Sequence, residues 1–153
     1  MISHTILDFK STLPNRGRLL GFDLGEKTLG IALSDLDRMI ATPLETLIKD
    51  KFSKLLEEIQ TIIQKHNIKG IVIGLPMNMN GSEGPRCESV RQFAKNIEPS
   101  IDLPLLFWDE RLSTMAVSRI MIEADLTRKR QKQVVDKMAA SYILQGALDA
   151  LKY

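Results

Sequence analysis

Lys69–Leu75 reads KGIVIGL, which is apolar and β-branched almost throughout. A strand without polar alternation is typical of the centre of a sheet that is covered on both faces. Pro76 directly follows and is expected to end the strand. Residues 50–66, just before it, place apolar side chains at helical steps of three and four. An amphipathic helix leading into a buried strand predicts an α/β domain.

Three weaker strand patterns precede that helix. Arg18–Leu24 and Thr28–Ser34 are joined by a tight turn, which predicts an antiparallel hairpin. Met39–Leu47 adds a third strand, and Pro43 within it favours an edge position. Residues 1–17 show no steady period, so we expect a flexible, loosely packed leader there.

The C-terminal half continues the alternation of strands and helices. Ser82 is expected to cap a helix over residues 83–97, and Leu103–Trp108 predicts another strand. Ser113 is expected to cap a helix over residues 114–123, and a long helix should run from Gln131 to Leu151. Right-handed crossovers make the later strands parallel. The order predicts one α/β domain over residues 18–153, with a mixed sheet flanked by helices.

Composition narrows the functional classes. The chain has 153 residues, of which 44% are hydrophobic, enough for one domain with a proper core. One cysteine excludes an internal disulfide framework and fits a reducing cytoplasm, and only two histidines disfavour a zinc site. No apolar run approaches membrane-spanning length, and no signal-peptide core is present. Any metal would be a hard ion held by carboxylates.

Acidic residues occupy positions where ionised groups are costly. Asp23 lies inside the first strand, Asp109 and Glu110 end an apolar strand, and Asp136 opens the inward stripe of the last helix. Each has a simpler interpretation. Asp23 could accept hydrogen bonds from the turn at Gly25, Asp109 and Glu110 could mark a strand reaching solvent, and Asp136 could lie at a solvated helix end.

Taken together, Asp23, Glu110 and Asp136 could converge at one edge of the sheet. Converging carboxylates repel each other unless a divalent cation neutralises them. Oxygen ligands suit Mg²⁺ or Mn²⁺, which also bind phosphate oxygens. This donor set is suited to metal-assisted hydrolysis of a phosphodiester, in which two ions ~4 Å apart activate water and stabilise the leaving oxygen.

Basic residues cluster where the last helix begins. Residues 128–137 carry a net charge of +4, whereas the whole chain carries only +2. Positive charge is unfavourable at a helix N-terminus, so binding to a polyanion would explain it. The alternative is an ordinary solvated start of a helix.

Four motifs in order resemble the signatures of the YqgF/RuvX family, and together they cover about residues 18–151. They are GFDLGEKTLG at Gly21–Gly30, GLP with NMNGSEG at 74–76 and 78–84, DERLST at Asp109–Thr114, and VD with AA and ILQ at 135–136, 139–140 and 143–145.

The resemblance implies a ribonuclease H-like fold with a five-stranded mixed sheet. It implies a metal-dependent nuclease related to Holliday-junction resolvases and associated with maturation of the 5′ end of 16S rRNA. The catalytic, metal-holding acids would be Asp23, Glu110 and Asp136, with Mg²⁺ or Mn²⁺ as cofactor. Contacts to nucleic acid would come from basic residues: Lys27, Arg111, Arg128, Lys129, Arg130 and Lys132.

The expected partner is precursor rRNA, with branched DNA as the alternative, and the expected state is a cytoplasmic monomer or weak dimer without membrane association. Two other functional classes fit the sequence less well. A phosphotransferase of the actin and sugar-kinase fold needs two such halves, and 153 residues supply one. A non-catalytic nucleic-acid-binding module would gain by losing acids that lie beside phosphates.

Overall fold

The computed structural model describes residues 1–110 and 128–152, with side chains for residues 1–110 and 138–152. A short 3-10 turn spans Glu98–Ser100. The main elements, in chain order, are β1 (Ile2–Ser3), α1 (Ile6–Thr12), β2 (Leu19–Leu24), β3 (Thr28–Ser34), β4 (Ala41–Ile48), α2 (Phe52–His66), β5 (Gly70–Leu75), α3 (Pro85–Ile97), β6 (Leu105–Asp109) and α4 (Arg128–Leu151).

The sheet has the strand order β1-β6-β5-β2-β3-β4. Strands β2, β3 and β4 pair antiparallel, whereas β2, β5, β6 and β1 run parallel. Every residue of β5 is buried, as the uninterrupted apolar run predicts. β4, which contains Pro43, lies at the edge. The mixed α/β sheet is therefore confirmed, with β1 as a sixth strand beyond the five expected.

Helices cover the two faces of the sheet. One face packs Phe22, Ile73 and Phe107 against α2 and α3. The other packs Leu19, Val72 and Leu106 against α4 and against Phe9 of α1. Side chains alternate along each strand, so the residue after an α3-facing one points toward α4.

A glycine fixes how closely α4 approaches the sheet. A Cβ on Gly21 of β2 would lie 2.6 Å from Cβ of Leu144 and 2.9 Å from the carbonyl oxygen of Ala140. No side chain can be accommodated at that distance, so glycine lets α4 rest directly on β2. This contact positions the N-terminal half of α4 relative to the end of β2.

The structure differs from expectation at residues 1–17. β1 pairs in parallel with β6, and Phe9 of α1 is completely buried. The Oγ1 of Thr5 accepts a hydrogen bond from the backbone N–H of Asp8 and so caps α1. Seven residues are too few to show a helical period, which explains why the sequence pattern suggested a flexible leader.

Two helix starts also differ. α3 begins at Pro85 after the N-cap Gly84, whereas Ser82 hydrogen-bonds to Asn80 within the preceding loop. Proline is favoured at the first helical position because it has no N–H to satisfy. α4 is described from Arg128, so it already includes the three residues before the expected start at Gln131. The predicted helix over residues 114–123, with its Ser113 cap, lies outside the described residues. Within the described part of the chain, no helix has the length and apolar character needed to cross a bilayer.

Candidate active site at the carboxyl edge of the sheet

Asp23 lies at the carboxyl end of β2, on the face that packs against α4. It is half-buried and is two residues beyond Gly21, so the two share a face. Phe22 pairs with Ile73 of β5, which makes Asp23 and Gly74 the next residues along two parallel neighbours. Gly74 in turn pairs with Trp108 of β6. Parallel strands therefore bring Asp23 to the edge where β5 and β6 also end.

Glu110 directly follows β6 and is buried, with 8% of its surface exposed. Its backbone N–H donates to the carbonyl of Leu75 at 3.3 Å, which extends the pairing of β6 with β5. Its carboxylate lies over Gly74, where a Cβ on that glycine would overlap Oε2. Glu110 thus reaches across β5 toward the strand that carries Asp23.

The Glu110 carboxylate lacks a hydrogen-bond donor on one side. Its Oε2 atom is buried and has no partner in the described part of the chain. Burial raises the pKa of Glu110, the nearby Arg86 opposes that shift, and the charge of Asp109 adds to it. A buried carboxylate oxygen without a donor is costly unless a cation or a proton meets it. Hard oxygen ligands of this kind fit Mg²⁺ or Mn²⁺.

Contacts at two points along α4 show in which direction the helix runs relative to β2. Ala140 and Leu144 lie over Gly21, in the middle of β2. Leu148, farther along α4, lines a cavity with Leu13 and Pro14, which precede β2. The C-terminal half of α4 thus lies at the start of β2, and its N-terminal half extends toward the end of β2.

This direction determines the level at which Asp136 lies. Asp136 is four residues before Ala140, one turn or ~6 Å along the helix. Asp23 is two residues beyond Gly21, or ~6.6 Å along the strand. The backbones of Asp136 and Asp23 therefore lie at a similar height along β2. The side chain of Asp136 is not among those that the structure describes. Among the side chains that are described, no three of His, Cys, Asp or Glu form a metal-binding group.

The remaining candidate residues separate into two groups. Asp109 is exposed, and alternation along β6 gives it the face opposite Trp108 and Glu110. Lys27 is exposed on the turn between β2 and β3. Arg111 lies outside the described residues. The other basic candidates are in the first turns of α4, and only their backbone is described: Arg128, Lys129, Arg130 and Lys132.

Sequence reasoning left the loop after β5 without a role, and the structure shows how it is held. Glu83 accepts two hydrogen bonds from Arg91 of α3, at 2.7 and 2.8 Å. The guanidinium of Arg91 also lies 4.9 Å from the ring centroid of Phe107 on β6. The loop is therefore tied to α3 and, through Arg91, to β6 on the α3 face of the sheet.

Two residues that shape the surroundings of Glu110 had no predicted role: Gly74, named only within the GLP motif, and Arg86, which belongs to none of the motifs. A glycine inside an otherwise β-branched strand signals the close approach of another group, so Gly74 carried a usable signal. Arg86, by contrast, is one arginine among many in the sequence. Only the folded chain brings it within electrostatic reach of Glu110.

The sequence matches the RuvX family, described as Holliday junction resolvase, over residues 17–150. A protein of Rhodobacter capsulatus named "Putative pre-16S rRNA nuclease" is 53% identical over 153 residues, covering all of this chain and 96% of the relative. A protein of the same name from Zymomonas mobilis is 54% identical over 142 residues, covering 93% and 86% of the two chains.

Solved structures support the fold independently. The RuvC protein of T. thermophilus in complex with a Holliday junction substrate superposes with a TM-score of 0.54 at 11% identity, covering 88% of this chain and 94% of that one. The yeast mitochondrial Holliday junction resolvase superposes at 0.53, also at 11% identity, covering 96% and 85% of the two chains. The ribonuclease H-like fold expected from the motifs is confirmed.

Proposed function

Since the chain belongs to the RuvX family, we propose that it is a metal-dependent nuclease that hydrolyses phosphodiester bonds in precursor 16S rRNA. The observation that carries the proposal is the buried carboxylate of Glu110, which lies over Gly74 with Oε2 lacking a donor. Asp23 lies on the same face of the sheet, on β2, which is the strand next to the β5 residue that the carboxylate covers. The proposal includes a cytoplasmic location, because that is where bacterial precursor rRNA is processed.

In this proposal Asp23, Glu110 and Asp136 hold Mg²⁺ or Mn²⁺ at the carboxyl edge of the sheet. A bound divalent ion would supply an activated water and stabilise the leaving oxygen. The chain's own contribution is to position the carboxylates. The pairing of β6 with β5 fixes Glu110, and the contact of α4 with Gly21 sets the level of Asp136. Basic side chains at the start of α4 would hold the phosphate backbone.

Branched DNA is the second candidate substrate, because the family description and the RuvC complex both concern Holliday junctions. The chemistry at the phosphorus does not distinguish RNA from DNA. A resolvase cuts two strands symmetrically and so needs a two-fold dimer. A monomer can trim one RNA strand, and the names of the relatives favour that substrate.

The first experiment tests the acids and the metal. Cleavage of a 16S precursor fragment should require Mg²⁺ or Mn²⁺ and should stop with excess EDTA. Asp23→Asn, Glu110→Gln and Asp136→Asn should each abolish cleavage while circular dichroism shows a folded protein. Asp149→Asn is the matched control, because Asp149 is an exposed acid at the far end of α4. Full cleavage in excess EDTA contradicts the proposal.

The second experiment compares the two substrates under identical Mn²⁺ and salt. The expected result is cleavage of the RNA fragment, with a four-way DNA junction cut poorly. Paired symmetric nicks in the junction, with the RNA intact, would instead establish the resolvase activity.

A further inference from the structure

A cavity of about 280 Å³ lies beside the candidate active site, between the turn after β2 and the first turns of α3. Its lining includes Gly25 and Glu26 of the turn, Lys49 after β4, and Arg86 and Ser89 of α3. Pockets for whole small molecules start at ~300 Å³, so this volume suits a phosphate with its sugar rather than a duplex.

Arg86 supplies a cation to the cavity wall. It is exposed in the first turn of α3 and forms no ion pair or hydrogen bond within the described part of the chain. Its charge opposes the rise in the pKa of Glu110, so it also acts on that carboxylate. A guanidinium that lines a cavity and whose N–H groups are not used by the described residues is suited to bidentate recognition of a phosphate.

Lys49 supplies a second cation, and the fold holds it in place. Its Nζ donates to the carbonyl of Gly25 at 2.8 Å, which fixes the ammonium in the cavity wall and leaves two donors free. Burial lowers the pKa of Lys49, and the nearby Glu26 opposes that shift. Removal from water makes an ammonium bind an incoming anion more strongly than an exposed one would.

The start of α3 adds little positive charge to the cavity. Pro85 has no N–H, the N–H of Cys87 donates to the carbonyl of Gly84, and Glu88 adds a negative charge to the first turn. The attraction of the cavity for an anion therefore rests on Arg86 and Lys49, with Glu26 as the acid in its lining.

From these contacts we infer that the cavity is a second phosphate-binding site, in which Arg86 and Lys49 hold a phosphodiester of the strand being cut. Leu24 and Gly25 of the cavity directly follow Asp23, so the cavity lies at the same carboxyl edge of the sheet as the acids, on the α3 side, whereas Asp23 faces α4. The inference rests on the proposed nuclease function and specifies the path of its substrate. A single strand would run from the basic start of α4, across the edge of the sheet, to α3.

The groove continues in the direction that this path requires. A second, more open cavity of about 600 Å³ shares Leu24, Lys49 and Ser89 with the first and extends along α3. Its lining adds Pro85, Glu88, Gln92, Phe93 and Asn96, of which Phe93 is buried and Glu88 is acidic. The amide side chains of Gln92 and Asn96 are suited to hydrogen bonds with a ribose or an unpaired base, whereas Glu88 disfavours a phosphate at that point.

The test measures binding of a fluorescent single-stranded 16S leader fragment by anisotropy, in EDTA so that nothing is cut, over a range of KCl concentrations. Arg86→Gln and Lys49→Gln should each lower the slope of log affinity against log salt by ~0.7, the value for one phosphate contact on a single strand. Arg86→Lys should keep most of the slope, because it retains the charge. Glu26→Gln removes the opposing charge and should strengthen binding.

Lys65→Gln is the matched control, because Lys65 is an exposed cation in the last turn of α2, away from both cavities. If Arg86→Gln and Lys49→Gln bind like Lys65→Gln, the phosphate site is wrong even when cleavage depends on Glu110. If they lose slope while no variant or wild type cleaves RNA or DNA, the phosphate site stands and the nuclease proposal is wrong. Circular dichroism of Lys49→Gln checks that the turn at Gly25 survives, and Arg86→Gln tests the site without that contact.

Discussion

The carboxylate of Glu110 occupies the space above Gly74 that any side chain at residue 74 would fill. The δ1 carbon of Ile143 on α4 bounds the same space. Oε2 has no hydrogen-bond partner among the described residues, and the backbone at Gly74 and the side chain of Ile143 bound the space that it occupies. Gly74 is therefore as important to the geometry of the candidate site as the acid itself.

Gly74→Ala should impair both stability and catalysis. The new methyl group overlaps Glu110 and Ile143, and overpacking of this kind costs ~1–3 kcal/mol of unfolding free energy. Displacing a catalytic group by ~1 Å can lower the rate ~100-fold. Urea denaturation and kcat on the RNA fragment measure the two effects.

The control for that variant is Gly70→Ala, at the other end of β5 and on the same face. A Cβ there meets the side-chain ends of Leu13 and Phe9, far from the acids. Gly70→Ala should therefore lose stability but keep kcat for the folded fraction. Equal loss of kcat in both variants would mean that the space above Gly74 has no special role.

Glu110→Gln should stabilise the metal-free protein in a pH-dependent way. Burial raises the pKa of Glu110 in the folded state above its ordinary value of 4.5, so ionisation opposes folding. The penalty is absent below that ordinary value, grows as the pH rises through the folded-state pKa, and is complete above it. In EDTA, Glu110→Gln should raise Tm at pH 8, and the gain should shrink toward pH 4.5.

Differential scanning calorimetry across that pH range tests the sign. Glu57→Gln serves as the control, because Glu57 is exposed on α2, and its Tm difference should stay small throughout. A Glu110→Gln variant less stable than wild type at pH 8 in EDTA would show that the ionised carboxylate has a favourable partner.

The sequence predicted the bounds of those strands and helices that are long enough to show a full period of apolar residues. The strand Thr28–Ser34 was predicted residue for residue, and α2 and β5 were predicted within two residues at their starts. In each, burial by one layer of the fold dictates the apolar spacing. Where a short element depends on a distant partner, as β1 depends on β6, no local pattern records it.

The candidate acids were identifiable because an ionised group in an apolar strand or stripe stands out. What the sequence could not supply is how far each side chain reaches. Glu110 leans across β5 only because residue 74 is a glycine and α4 covers it, and both facts need the packed structure. Lys49 and Arg86 could not be identified as neighbours from the sequence, because they are far apart in the chain and no motif includes either one.

Phe9→Ala tests whether residues 1–17 belong to the folded domain. Phe9 is completely buried against the α4 face of the sheet, so truncating it should cost ~3–5 kcal/mol of unfolding free energy. Leu7→Ala is the control, because Leu7 on the same helix is 70% exposed and should change stability by less than ~0.5 kcal/mol. Equal urea midpoints for both variants would instead support the prediction that residues 1–17 are flexible.

Neutralising the basic start of α4 should weaken nucleic-acid binding and stabilise the protein at the same time. The variant changes four residues to Gln: Arg128, Lys129, Arg130 and Lys132. If all four contact phosphates, the salt slope should fall by ~2.8, at ~0.7 per contact on a single strand. Cations at a helix N-terminus oppose its dipole, so their removal should raise Tm slightly.

The matched control changes three exposed cations at the other end of the sheet to Gln: Lys10, Lys65 and Lys152. It lowers the net charge by a similar amount away from the carboxyl edge, so it accounts for nonspecific charge effects on binding. The cleavage rate at saturating substrate should change little in either variant, since neither touches the acids. A salt slope that falls equally in both variants, or in neither, would assign the start of α4 to an ordinary solvated surface, because a specific phosphate track must distinguish the two ends of the sheet.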